Sequence, residues 1–169
     1  MTSQWIPNKY VRYVLAGLML DNRLALTVAL KTGMRIGDVL EIPTTALKHN
    51  SYTYTEQKTK KNRTVKLDYK LRKQLKQIAG QKYVFEHRLD PNKHRTRQAV
   101  YYDLVRLAKA YHLHNLTPHS MRKCYAVSLY DKNGKNIDEI QRELNHTDKN
   151  VTLLYALADI LSKKNEFTF

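Results

Sequence analysis

Apolar residues recur at helical spacing from Val11 to Thr32: Val14, Leu15 and Leu18, then Leu24, Ala25, Val28 and Ala29. That pattern predicts two helices with a break near Leu20–Asp21. Gly33 is placed to end the second, since glycine enters the left-handed conformation of a helix end without steric penalty. A short helix over Ile36–Leu40 follows, stopped by Pro43. Between Leu47 and Leu67 the period changes. Residues 51–55 (SYTYT) alternate hydroxyl and aromatic side chains, 57–62 (QKTKKN) make a polar basic turn, and 63–67 (RTVKL) alternate again. This is the signature of an antiparallel hairpin. Asp68 caps a helix from Tyr69 to Ala79 that Gly80 closes, and Tyr83–Phe85 reads as a short strand or a buried extended segment. The basic stretch Asn92–Arg97 leads into a helix with Val100, Leu104, Leu107, Ala108 and Tyr111 on one face. Thr117–Pro118 is a strong helix start, a capping hydroxyl followed by proline at the first helical position. That helix is expected to reach Lys132, with Asn133–Gly134 as its stop. Asn136 and Glu139 form a capping-box pattern for a helix through Leu144, and a last helix spans Asn150 to Lys163. The expected fold class is mostly α with one small antiparallel β-sheet.

Charge narrows the partner. Lys and Arg number 30 against 15 Asp and Glu, a formal net charge of +15. Such an excess opposes compaction by self-repulsion and points to a polyanionic partner. Nucleic acid comes first, because neutralising its phosphates releases counterions. A membrane surface ranks last: the basic residues are dispersed among polar turns, and no long basic amphipathic helix appears. No apolar run is long enough to span a bilayer, and the first residues lack the order of a signal peptide. The single Cys124 excludes an internal disulfide framework and suits a reducing cytoplasm. Few Gly and Pro leave little room for a linker, so one domain is expected.

Cleaving a phosphodiester without metal requires planar cations, a nucleophile and an acid that converge on it. His119 and Arg122 lie three apart in the first turns of the helix opened by Thr117–Pro118, on one face and at a positive dipole end. Alone, the bland reading is a capped histidine and a solvated arginine. Arg35 stands between two predicted helices, able to grip a phosphate in bidentate fashion. The structural alternative, a salt bridge to Asp38 or Glu41, is equally open. His146 lies in a loop and Tyr155 nine residues on in the next helix. With 12 tyrosines in the chain, none is singled out by local sequence.

The order of these pieces carries more than any one of them. TGMRIGDVLEI, EQKTKKNRTVKL, TPHSMRKCYA and then LNHTD with VTLLY resemble the tyrosine recombinase, or phage integrase, family from about Ala25 to Ala158. Arg35, Lys58, His119, Arg122, His146 and Tyr155 occupy that family's Arg, hairpin Lys, His-x-x-Arg, His or Trp, and Tyr positions. The resemblance implies that Arg35 and Arg122 clamp the scissile phosphate and that Tyr155 attacks it, leaving a 3′-phosphotyrosyl link. It implies that His119 handles protons, that Lys58 protonates the leaving 5′-oxygen, and that His146 hydrogen-bonds the phosphate. Neither metal nor other cofactor is implied. Lys58 follows Glu56–Gln57 at the end of the second strand and aligns best, with Lys60 as the alternative. Met121 and Lys123 stand where the family often has Leu and His, and Asn145 where Gly is frequent, which bears on how the His146 loop turns.

The resemblance also implies an N-terminal clamping domain, for which the 34 residues before Arg35 are too few. The expectation is therefore a single catalytic domain over residues 1–169, acting on double-stranded DNA and self-associating there into a synaptic complex. The C-terminal tail with Phe167 and Phe169 is a candidate for that contact. Type IB topoisomerase-like relaxation and a non-catalytic DNA-binding accessory role are the alternatives.

Overall fold

Two helices at the start of the chain frame the rest. The computed structural model describes residues 8–132 and 137–144, with α1 over Asn8–Ala16 and α2 over Leu20–Thr32. The break falls just before the expected Leu20–Asp21 step, and its cause is tertiary. The Met19 N–H and the Asn22 side chain both donate to the Asp103 carboxylate, at 3.0 and 2.8 Å. Helix α2 is thus opened by a side chain distant in sequence. It is the central helix, burying Leu24, Ala25, Leu26, Val28 and Ala29. Gly33 ends it as expected, at φ 67°, with its N–H on the Ala29 carbonyl.

Helix α3 covers Ile36–Leu40, and a 3-10 turn over Thr44–Lys48 leads to the expected hairpin. Strand β1 (Ser51–Thr55) pairs antiparallel with β2 (Asn62–Lys66), Tyr54 facing Arg63. Period-2 alternation sorts the two faces. Tyr54 and Val65 turn to the core, while the Thr53 and Thr64 hydroxyls meet at 2.7 Å on the outside. Helix α4 covers Tyr69–Ile78, and Asp68 caps it by accepting the Leu71 N–H at 2.7 Å. Of the two readings for Tyr83–Phe85, the buried extended segment holds: Tyr83 bridges to Pro43, and Val84 and Phe85 are buried.

A second, small antiparallel hairpin follows, β3 (Glu86–His87) with β4 (Asp90–His94), where only a basic lead-in was expected. Its polar sequence DPNKH has no apolar alternation to announce it. Helices α5 (Arg97–Ala110), α6 (Pro118–Lys132) and α7 (Ile137–Glu143) complete the described residues. Val100, Leu104, Leu107 and Ala108 of α5 are buried as expected, but Tyr111 lies past its end, 46% exposed. One apolar core joins α1 to α6, and a smaller cluster of Ala126, Ile140 and Leu144 seats α7 on α6. No described helix is long and apolar enough to cross a membrane. Asn136 and the helix expected over Asn150–Lys163 lie outside the described residues.

Candidate active site

Polar groups gather where α2 ends, α3 starts, β1 ends and α6 begins. The left-handed turn at Gly33 reverses the chain and makes Arg35 the residue before the first turn of α3. Its guanidinium is partly exposed, and Nη1 pairs with Glu56 Oε2 at 2.8 Å. Neither of the structural partners considered for Arg35 is the one found. Asp38 instead accepts the Gln57 N–H at 3.0 Å, and Glu41 lies 3.6 Å from His94.

Arg122, one turn into α6, is 1% exposed, which removes the solvated-arginine reading. Its Nη1 donates to the Gly33 carbonyl at 2.5 Å and its Nη2 to the Leu144 carbonyl at 2.6 Å. Both oxygens lie at helix ends, where unpaired carbonyls carry partial negative charge and favour a cation. Arg122 Nη1 is also 3.9 Å from Glu56 Oε1. Arg63 completes the group: Nη2 donates to the Thr32 carbonyl at 2.6 Å, and Nη1 lies 3.9 Å from Glu56 Oε1.

Glu56, fully buried, therefore faces three arginines. Burial alone pushes its pKa up, but the Thr59 hydroxyl and the Arg35 and Arg122 guanidiniums outweigh this and hold it below the usual range. Asp38 goes the other way: burial raises it, with Glu56 adding to the shift against the Gln57 N–H.

Lys58 is not at the end of a strand. It lies in the turn between β1 and β2, exposed, because β2 begins only at Asn62. Gln57, held by Asp38, anchors that turn beside α3. Lys60 sits in the same turn at φ 56°, its N–H on the Glu56 carbonyl at 2.9 Å. His119 stands on the first turn of α6, exposed over the residue as a whole but in a crowded surrounding that desolvates its imidazole. That desolvation, then the charges of Arg122, Lys123, Arg35 and Lys58, bring its pKa down to about 4. The imidazole is thus neutral at pH 7 in the free protein. Lys123 is half-buried, and burial lowers its pKa.

Arg35, Lys58, His119 and Arg122 are thus brought to one place, while His146 and Tyr155 lie outside the described residues. Sequence reading passed over Glu56 and Arg63. The hairpin alternation was the available signal, since Glu56 continues the inward face of Tyr52 and Tyr54, and Arg63 shares that of Val65 and Leu67. Among the described residues, no group of three or more His, Cys, Asp or Glu side chains could hold a metal ion.

Residues 10–160 match the Phage integrase family, and the chain belongs to that family. A probable integrase/recombinase of Bacillus subtilis strain 168, YoeC, is 28% identical over 75% of this chain and 71% of its own length. The integrase of Escherichia phage P2 is 30% identical over 90% of this chain and 42% of its own length. Among solved structures, the XerH site-specific recombinase bound to its palindromic difH substrate superposes with a TM-score of 0.71 at 22% identity, over 89% of this chain and 48% of that one. The catalytic domain of bacteriophage HP1 integrase gives a TM-score of 0.67 at 22% identity, over 99% and 96% of the two chains. The fold is that of a tyrosine recombinase catalytic domain. The chain spans less than half the length of the P2 integrase and of the XerH chain.

Proposed function

We propose that this protein is a site-specific DNA recombinase that cleaves and rejoins double-stranded DNA through a 3′-phosphotyrosyl intermediate on Tyr155. The observation that carries the reading is the convergence of Arg35 and Arg122 on one buried carboxylate, beside the Lys58 turn and a neutral His119. Two guanidiniums held together offer planar donors to the nonbridging oxygens of one phosphate, whose negative charge grows as the nucleophile attacks.

The Tyr155 phenol has an unperturbed pKa of ~10 and must lose its proton to attack. His119, unprotonated at neutral pH, is a competent acceptor for it. The Tyr155 Oη–phosphorus bond forms as the bond to the 5′-oxygen breaks, and Lys58 supplies the proton that leaves with that oxygen. His146 hydrogen-bonds the phosphate. A 5′-hydroxyl attacking the phosphotyrosine reverses each step, so the bond is conserved without ATP. The action of Lys58 on His119 favours it over Lys60 as the proton donor. Membership of the Phage integrase family favours strand exchange over topoisomerase-like relaxation. In this reading the protomers assemble on DNA into a synaptic complex, with the tail bearing Phe167 and Phe169 as the contact between them.

The test is covalent trapping. A labelled pool of randomised duplexes, each nicked so that a short 5′-hydroxyl strand diffuses away after cleavage, is incubated with the protein and resolved under denaturing conditions. The wild type is expected to form an adduct and Tyr155→Phe none. An adduct that persists in the variant assigns the nucleophile elsewhere.

A further inference from the structure

The hairpin turn and the arginine cluster meet in one side chain, Glu56. Its Oε2 pairs with Arg35 at 2.8 Å and also accepts the Thr59 hydroxyl at 2.5 Å. Its Oε1 faces both Arg63 and Arg122 at 3.9 Å. Its backbone closes the turn, the N–H on the Lys61 carbonyl at 3.0 Å and the carbonyl on the Lys60 N–H at 2.9 Å. Thr59 Oγ1 lies 3.5 Å from the Lys61 N–H it accepts. A carboxylate is repelled by the phosphates of DNA and offers them no donor, so Glu56 does not bind DNA itself. Its charge is directed inward to the guanidiniums, and its hydroxyl partner lies next to Lys58.

From this arrangement we infer that Glu56 is a positioning residue, which with Thr59 fixes the Lys58 turn and the Arg35–Arg122 clamp in one geometry. Two effects follow from the single carboxylate. Its negative charge relieves repulsion among three guanidiniums that would otherwise splay apart. Its bond to Thr59 ties the turn to that charge, so the proton donor and the phosphate clamp keep a fixed separation. Charge-assisted hydrogen bonds of this kind are short and directional, which suits a positioning task. The inference rests on the proposed cleavage reaction and adds to it two residues that touch neither phosphate nor nucleophile.

The substitutions Glu56→Gln and Thr59→Val separate the two effects. Glutamine keeps the shape and an acceptor for Thr59 but removes the charge. Valine keeps the turn's bulk but removes the hydroxyl. Each is compared with the wild type on ordinary nicked duplexes and on duplexes with sulfur in place of the bridging 5′-oxygen, a leaving group that needs no proton. Thr59→Val is expected to slow adduct formation at least tenfold on ordinary DNA and less than threefold on the sulfur substrate, because only the lysine turn is loosened. Glu56→Gln is expected to slow both substrates at least tenfold, with affinity for DNA unchanged or higher. Equal slowing of both substrates by Thr59→Val, or no slowing, overturns the assignment. If Glu56→Gln fails to fold, the Thr59→Val comparison decides alone. A wild type that forms no adduct on either substrate removes the cleavage reading and this inference with it. A cleaving wild type matched by both variants removes only the inference.

Discussion

Arg35 and Arg122 are assigned the same task on the phosphate, yet their surroundings predict very different stability effects. Replacing Arg122 by Met preserves side-chain length and opens little cavity, so the loss is mainly electrostatic. Two hydrogen bonds disappear, to the Gly33 and Leu144 carbonyls, in a site with 1% exposure. Hydrogen bonds from a charged donor are worth about 1.5–3 kcal/mol each, and buried acceptors left bare lose hydration as well. Breaking such a buried arrangement by removing one partner destabilises by about 3–5 kcal/mol. Arg35→Met removes one ion pair from a guanidinium whose side chain is 23% exposed, and Glu56 keeps Arg63, Arg122 and Thr59 nearby. Partly solvated pairs of that kind contribute about 1 kcal/mol or less. For a domain of this size each kcal/mol moves the midpoint by about 2–4 °C. Arg122→Met is therefore expected to lower Tm by roughly 10 °C and Arg35→Met by roughly 3 °C. Thermal melts followed by circular dichroism measure the two Tm shifts, and urea denaturation the two free energies. Equal shifts for the two variants would refute the reasoning, as would an Arg122→Met protein within 1 kcal/mol of wild type.

Gly33→Ala should destabilise by about 2 kcal/mol or more, since an added Cβ would clash with Cδ1 at the edge of the Tyr125 ring, at a backbone with φ 67°; an unchanged denaturation midpoint would contradict the packing described. His119 should titrate near pH 4 in the free protein, followed by the NMR shifts of its ring protons, and a midpoint above 6 would contradict the desolvation and cationic field described for it. Because its folded-state pKa lies below the ordinary 6.5, its contribution to stability is complete above pH 6.5 and is lost as pH falls toward 4. A bound phosphate reverses that field, so DNA binding should take up protons in the same window. Lys58→Ala should be rescued by the bridging-sulfur substrate and Lys60→Ala should not, and the opposite result moves the proton donor to Lys60. EDTA should leave adduct formation intact, whereas strict dependence on Mg²⁺ would overturn the metal-free mechanism.

Much of the architecture was legible because local signals and tertiary packing agreed. Gly33, Asp68 and Thr117–Pro118 mark ends that the fold uses as expected, and SYTYT with RTVKL pairs as its alternation requires. What escaped was set by distant partners. The start of α2 depends on Asp103, and the second hairpin has no apolar face to betray it. Within the candidate site, Arg35, Lys58, His119 and Arg122 were found through their order along the chain. Glu56 and Arg63 were not, although the alternation that placed Tyr54 and Val65 inward placed them inward too. Glu56 fell between the SYTYT strand and the turn over 57–62, and Arg63 opened the returning strand; neither was given a role, yet both are buried beside Arg35 and Arg122.

The central claim is that Tyr155 is the residue joined to DNA. Trypsin releases it in the peptide Asn150–Lys163, which contains no other tyrosine. The trapped adduct, digested with nuclease and then trypsin, can be read by tandem mass spectrometry for the peptide that carries a nucleotide 3′-phosphate. The account predicts that mass addition on Asn150–Lys163, with fragment ions placing it on Tyr155. A nucleotide on any other tyrosine-containing peptide, with Asn150–Lys163 recovered unmodified, would contradict it.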